Sequence, residues 1–177
     1  RRITANTPCR ISGPAAGHAL MKAKKYVVTD HATVDTGTFT DGTTALGTIN
    51  NCANGVTPWG TYLTCEENIH HPFGSNTRIE LSAAAKRYRA TLNGATTHHQ
   101  FDPRFDLATN PNEFNRFGWV VEIDPFDPAS VPKKRTAMGR FKHEGAGNIV
   151  NAPLPARSGQ TEMREAYEDL ILPALEA

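Results

Sequence analysis

Along the first 142 residues, apolar positions come in runs too short for ordinary helices. The runs at 26–29, 45–50, 60–65, 118–124 and 136–142 read as candidate strands, several of them alternating apolar with small or polar residues. Ser12-Gly13-Pro14, Asp41-Gly42, Asn54-Gly55, Asn93-Gly94, Asp124-Pro125 and Asp127-Pro128 each mark a turn. Short strands at turn-limited spacing predict a mainly β chain of the sandwich, barrel or propeller kind.

Two stretches interrupt the pattern. At 81–88, Ala83-Ala84-Ala85-Lys86-Arg87 has high helix propensity but offers only about two turns. At 97–115 the chain is rich in Asp, Asn, Pro and His and poor in aliphatic residues, which predicts a long surface loop of the kind that often rims a site. Beyond Gly145 the character changes. A short extended piece at 148–155 ends in prolines, and at 161–176 Met163, Ala166, Tyr167, Leu170, Ile171, Ala174 and Leu175 follow helical spacing. Ser158 or Thr161 is placed to cap that helix and Pro173 to kink or end it. The expected organisation is a β-rich unit over 1–146 and a strand-plus-helix tail over 147–177.

Charge narrows the partners. Nineteen Lys and Arg nearly balance eighteen Asp and Glu, with no basic stripe, so nucleic acid is disfavoured as a partner. No apolar run approaches the roughly 18 residues of a membrane span, and no signal-peptide core follows Arg1-Arg2. With three cysteines, Cys9, Cys52 and Cys65, at least one thiol stays outside any disulfide within the chain. Cys9 and Cys52 read equally as core residues or as a disulfide pair.

The densest chemistry is Thr64-Cys65-Glu66-Glu67-Asn68, where a candidate strand delivers a thiol and two carboxylates at its end. Alternation would send Cys65 and Glu67 to one face and Glu66 to the other. Adjacent carboxylates repel, and a polyvalent cation would resolve that conflict. Carboxylates suit hard cations such as calcium, whereas a thiolate suits softer or transition metals, so the pair suggests a mixed cluster or an iron site. From spacing alone, a surface acidic pair beside a buried thiol is the leading reading. A second group, Arg140-Phe141-Lys142-His143-Glu144, offers cations for phosphate oxygens and His143 or Glu144 for a metal, against the plainer reading of a solvated charged turn. His70-His71 and His98-His99 lack the spacing of a structural zinc site and read as loop residues.

Several long blocks resemble the PhoX alkaline phosphatase family. They are Thr7-Pro8-Cys9-Arg10-Ile11-Ser12-Gly13-Pro14, Leu46-Gly47-Thr48-Ile49-Asn50-Asn51-Cys52-Ala53-Asn54-Gly55, the Thr57 to Asn68 segment, Asn115-Arg116-Phe117-Gly118-Trp119-Val120-Val121-Glu122-Ile123-Asp124-Pro125, and Gly139-Arg140-Phe141-Lys142-His143-Glu144-Gly145-Ala146. The resemblance implies a six-bladed β-propeller, here partial and incomplete, that hydrolyses phosphomonoesters with iron (Fe3+) and calcium. It also implies a periplasmic or secreted location. Carried over by motif, Cys65 and Glu144 become the catalytic iron ligands, and Glu66 or Glu67 serves calcium.

The sequence departs from the family's pattern at 21–46, which is longer than the usual link, and between Asn68 and His99, which is shorter. After about residue 146 the later blades, with further ligands and phosphate-binding arginines, do not follow. The tail instead resembles a short inner stretch of bacterial histone-deacetylase-like proteins that carries no metal ligand. Two readings therefore compete, a segment of a PhoX-type phosphatase and a non-catalytic metal-binding or interaction module.

Overall fold

The computed structural model describes residues 2–29 and 32–147, so the extended piece and helix expected at 148–155 and 161–176 lie outside the described residues. The described part is mainly β. Strands β1 (Pro8–Ser12), β4 (Thr44–Leu46), β5 (Asn51–Val56), β6 (Tyr62–Glu66), β7 (Val120–Ile123) and β8 (Lys133–Arg135) form one sheet in the order β4-β1-β8-β7-β6-β5. Strands β2 (Lys24–Val28) and β3 (Thr33–Phe39) form a separate antiparallel hairpin. Neighbours in the large sheet are antiparallel except for the parallel pair of β1 and β8.

This sheet cannot be flat. β4 and β5 are its two edge strands, yet the chain passes from Leu46 to Asn51 in five residue steps, a reach of at most about 18 Å. In a flat sheet of six strands those edges would stand about 24 Å apart. The sheet must therefore curl, bringing its edges towards each other. Gly47 makes the connecting bend with φ +79, and a Cβ there would lie 1.9 Å from the Ala5 carbonyl oxygen. Only glycine satisfies both the backbone angle and the close approach.

Packing on the sheet is divided among three clusters. Ile11, Ala15, Met21, Ala45 and Trp119 form one, and Leu63, Cys65, Val120 and Ala146 another. The largest, with Ile69, Phe73, Phe105, Leu107, Phe114 and Phe117, is built by segments outside the sheet. Phe73 stands edge-on to Phe105 and Phe114 with centroids 5.2 and 5.0 Å apart, the preferred arrangement for aromatic pairs.

The segment at 97–115 differs from its expected form as a surface loop. It folds into a short helix α2 (His98–Phe101), which follows α1 (Ala83–Arg87), and two 3-10 turns, Pro103–Phe105 and Pro111–Arg116. It buries Phe105, Leu107 and Phe114 together with Arg104, Asp106, Glu113 and Arg116. Its polar composition is explained by paired buried charges: Arg104 and Arg116 both face Glu113, at 3.4 and 3.2 Å. The strand expected at 136–142 is also corrected. β8 ends at Arg135, and Thr136–Met138 is a 3-10 turn because buried Thr136 is tied by its hydroxyl to Ser12 O and Ala15 N.

Candidate metal centre

Strand β6 carries Cys65 and Glu66 into the protein rather than out of it. Cys65 lies at 0% exposure beside Leu63, Val120 and Ala146, and burial pushes its thiol pKa up. Glu66, also at 0%, accepts from Lys134 Nζ at 2.8 Å, from the backbone N–H groups of Gly118 and Trp119 at 2.9 and 3.1 Å, and from Ile49 N at 3.3 Å. Lys134 Nζ donates in addition to Arg116 O at 2.8 Å and sits 4.1 Å from the Phe117 ring centroid. These bonds occupy both carboxylate oxygens of Glu66. Its charge is compensated by the Lys134 ammonium.

β6 ends at Glu66, so Glu67 escapes the alternation that would have placed it with Cys65. Its N–H donates to Asn50 O at 3.1 Å, and its side chain, half-buried, turns towards β5. There a bulge intervenes: Asn51 pairs with Glu66 and Asn54 with Thr64, so β5 holds one residue more than β6 between those pairs. The extra residue re-aims the bulged side chains. Cys52, in that bulge and exposed, donates its thiol proton to Glu67 Oε2 at 2.9 Å. Cys52 thus meets Glu67 rather than Cys9, whose buried thiol donates to Thr7 O.

The second motif arrives alongside. His143 N donates to Glu66 O at 3.1 Å, and Lys142 Nζ donates to Asn68 Oδ1 at 2.7 Å, while Asn68 Nδ2 donates to Glu67 Oε2 at 2.8 Å. Ala146 packs onto Gly55, where an added Cβ would lie 1.8 Å from the Ala146 carbonyl oxygen. Exposed Glu144 is thereby held close enough to Cys52 for its charge to be felt. The Cys52 thiol pKa is raised first by the hydrogen bond to Glu67, then by burial and by the charges of Glu67 and Glu144.

The structure therefore brings together Cys52, Glu67, Asn68, Lys142 and Glu144, and keeps Cys65 and Glu66 in the interior. Among the described residues, no three His, Cys, Asp or Glu side chains converge tightly enough to hold a metal ion. Arg140, a candidate for phosphate, instead donates to Phe117 O and Phe114 O at 2.8 and 2.7 Å beneath the Tyr88 ring, and burial lowers its pKa to about 10. From the sequence Cys52 reads as a core residue or a disulfide partner, and the structure leaves it an exposed thiol. The available signal was its setting: Asn-Cys-Ala-Asn-Gly has no apolar partner at two-residue spacing, whereas Cys65 follows Leu63 on the same strand face.

Residues 1–162 match the family described as alkaline phosphatase PhoX. Among solved structures, that of Pseudomonas fluorescens PhoX in complex with vanadate, a transition state analogue, is 57% identical with a TM-score of 0.71, over 82% of this chain. The match spans 23% of that protein's length. No curated protein matches the chain.

Proposed function

Because this chain belongs to the PhoX alkaline phosphatase family, we propose that it supplies the thiolate-and-carboxylate part of a metal centre for phosphomonoester hydrolysis. The observation that carries this reading is the exposed Cys52 thiol bonded to Glu67, with the Glu144 charge beside it. Iron and calcium, the metals implied by the family resemblance, suit these donors, since trivalent iron tolerates thiolate with carboxylate and calcium takes carboxylate oxygens. Bound cations would supply positive charge for a phosphoryl group and a water of lowered pKa.

The residues of this chain then have separable duties. With a metal bound, Cys52 would release to solvent the thiol proton that it donates to Glu67, and Glu67 and Glu144 would supply oxygen ligands. Lys142, steadied by Asn68, offers an ammonium to an anionic ester. Cys65 and Glu66 act as positioning residues: Glu66 pins the end of β6 to Lys134 and the Gly118-Trp119 backbone, which sets where Glu67 emerges. On the same family grounds the curled sheet is assigned to part of a β-propeller, and the location to the periplasm, which cell fractionation would check.

Metal analysis of purified protein tests the assignment. Iron content should fall in Cys52→Ser and Glu67→Gln and persist in Cys65→Val. Equal loss in the Cys52 and Cys65 variants, or loss in neither, would remove Cys52 from the centre. Turnover of p-nitrophenyl phosphate by the metal-loaded chain would support hydrolysis. Metal binding without turnover would favour the non-catalytic metal-binding module.

A further inference from the structure

A cleft that shares no residue with the Cys52 cluster opens between the β2–β3 hairpin and the buried charges of the 104–116 segment. Its volume is about 490 Å³, within the range that takes a small organic ligand. The walls divide by chemistry. Tyr26, Phe39 and Leu46 give an apolar side, and Arg104, Glu113 and Arg116 give a charged floor.

The floor is not neutral. Arg104 and Arg116, with side chains 0% and 3% exposed, share the single carboxylate of Glu113. Arg104 spreads its charge over acceptors, with its terminal nitrogens donating to Ala5 O, Asn6 Oδ1 and Leu46 O at 2.9 to 3.2 Å. Arg116 has less: one terminal nitrogen faces Glu113 Oε2, and its buried Nε, like Arg104 Nε and Glu113 Oε1, has no hydrogen-bond partner among the described residues. Leaving a buried guanidinium donor unmatched is costly, and an added anion would relieve it. Burial lowers the Arg116 pKa, the charge of Glu113 opposes that, and Arg104 adds to the lowering.

Beyond Glu113, the nearby carboxylates do not hydrogen-bond Arg116, although the charge of Asp41 reaches it. Asp41 lies at the rim, where its Oδ1 accepts from the N–H and hydroxyl of Thr43. Asp35 is bound to Lys24 at 2.8 Å. Lys25, exposed at the mouth of the cleft, adds another positive charge.

We propose that this cleft binds a small organic anion, with one carboxylate or phosphate group paired to Arg116 and an aromatic or aliphatic body against Tyr26, Phe39 and Leu46. The site is independent of the metal-centre reading, because neither its residues nor its chemistry depend on a metal ion.

Calorimetric titration of the purified chain with benzoate, phenyl phosphate and inorganic phosphate tests this, with binding mapped by amide chemical shifts. One or both aromatic anions should bind more tightly than inorganic phosphate and shift residues around 24–26, 39–46 and 104–116. Arg116→Met should weaken binding on the order of tenfold or more, from loss of a charged hydrogen bond. Phe39→Ala should weaken it by roughly a few-fold through lost apolar contact, and Lys25→Gln less. Phe39 and Lys25 are exposed, so those two variants keep the test alive if the Arg116 variant fails to fold. Lack of binding by either aromatic anion, unchanged affinity in the Phe39 and Lys25 variants, or shifts centred on Cys52 and Glu67 would overturn the proposal. Equal affinity for inorganic phosphate would do the same.

Discussion

The thiol of Cys52 donates to Glu67 Oε2 across 2.9 Å, joining the bulge of β5 to the residue just past the end of β6. The bond holds the proton on sulfur, and the same carboxylate charge disfavours thiolate. A cation at this point would reverse that preference, since it favours the deprotonated ligand. The pair is thus set against reactivity until a positive charge arrives.

Thiol labelling of the chelator-treated chain checks this arrangement. Cys52 is exposed and should react with a disulfide reagent under native conditions, while Cys65 at 0% exposure should react only on unfolding. Glu67→Gln removes the negative charge and should speed Cys52 labelling severalfold near neutral pH, because more of the thiol is ionised. An unchanged rate would show that the hydrogen bond does not control the thiol.

Glu66 and Lys134 should govern stability. Removing either partner leaves an uncompensated buried charge, at a cost of about 3–5 kcal/mol. Glu66→Gln and Lys134→Met should each lower the urea midpoint strongly. The double variant should lose less than the two single losses added together, which a double-mutant cycle measures. Additive losses would mean that the two groups act independently despite their 2.8 Å contact.

That pair also shows what the sequence made legible and what it left hidden. Strand β6 was readable because Thr and Tyr favour an extended run, and the Ser82-capped helix α1 was readable from its alanines. Strand β8 was not, because Lys133-Lys134-Arg135 reads as solvated charge until Glu66, 68 residues away, is known to meet Lys134. The 97–115 segment misled for the same reason. Arg104, Glu113 and Arg116 resemble surface residues locally and are core residues only as a set. At the candidate site, residues of three family blocks meet: Cys52, Glu67 with Asn68, and Lys142. The two-residue spacing separates exposed Cys52 from buried Cys65, but the bulge that turns Cys52 to Glu67 and the covering of Cys65 by Ala146 are not legible in it.

Gly55 tests whether Ala146 positions Glu144. A Cβ at residue 55 would fall 1.8 Å from the Ala146 carbonyl oxygen, a backbone atom that must move. Gly55→Ala should therefore displace the 144–146 segment, cost about 1–3 kcal/mol in overpacking, and lower metal content alongside stability. A variant with wild-type stability and wild-type metal content would show that this contact does not set the site.

Tyr26 should make the fold sensitive to alkali. Its pKa is pushed up to about 12, first by burial and then by the charges of Asp35 and Glu113, and its hydroxyl donates to Pro103 O at 3.4 Å. The folded protein therefore holds the phenolic proton to higher pH than the unfolded chain, whose tyrosine titrates near 10. This stabilising contribution is complete below pH 10 and is lost as pH rises through about 12, since the unfolded state releases its proton first. Urea midpoints measured from pH 9 to 11.5 should fall across that window, and Tyr26→Phe should flatten the decline. A slope unaffected by the substitution would assign the alkaline loss to other groups and would leave Tyr26 as a packing residue of the hairpin cleft alone.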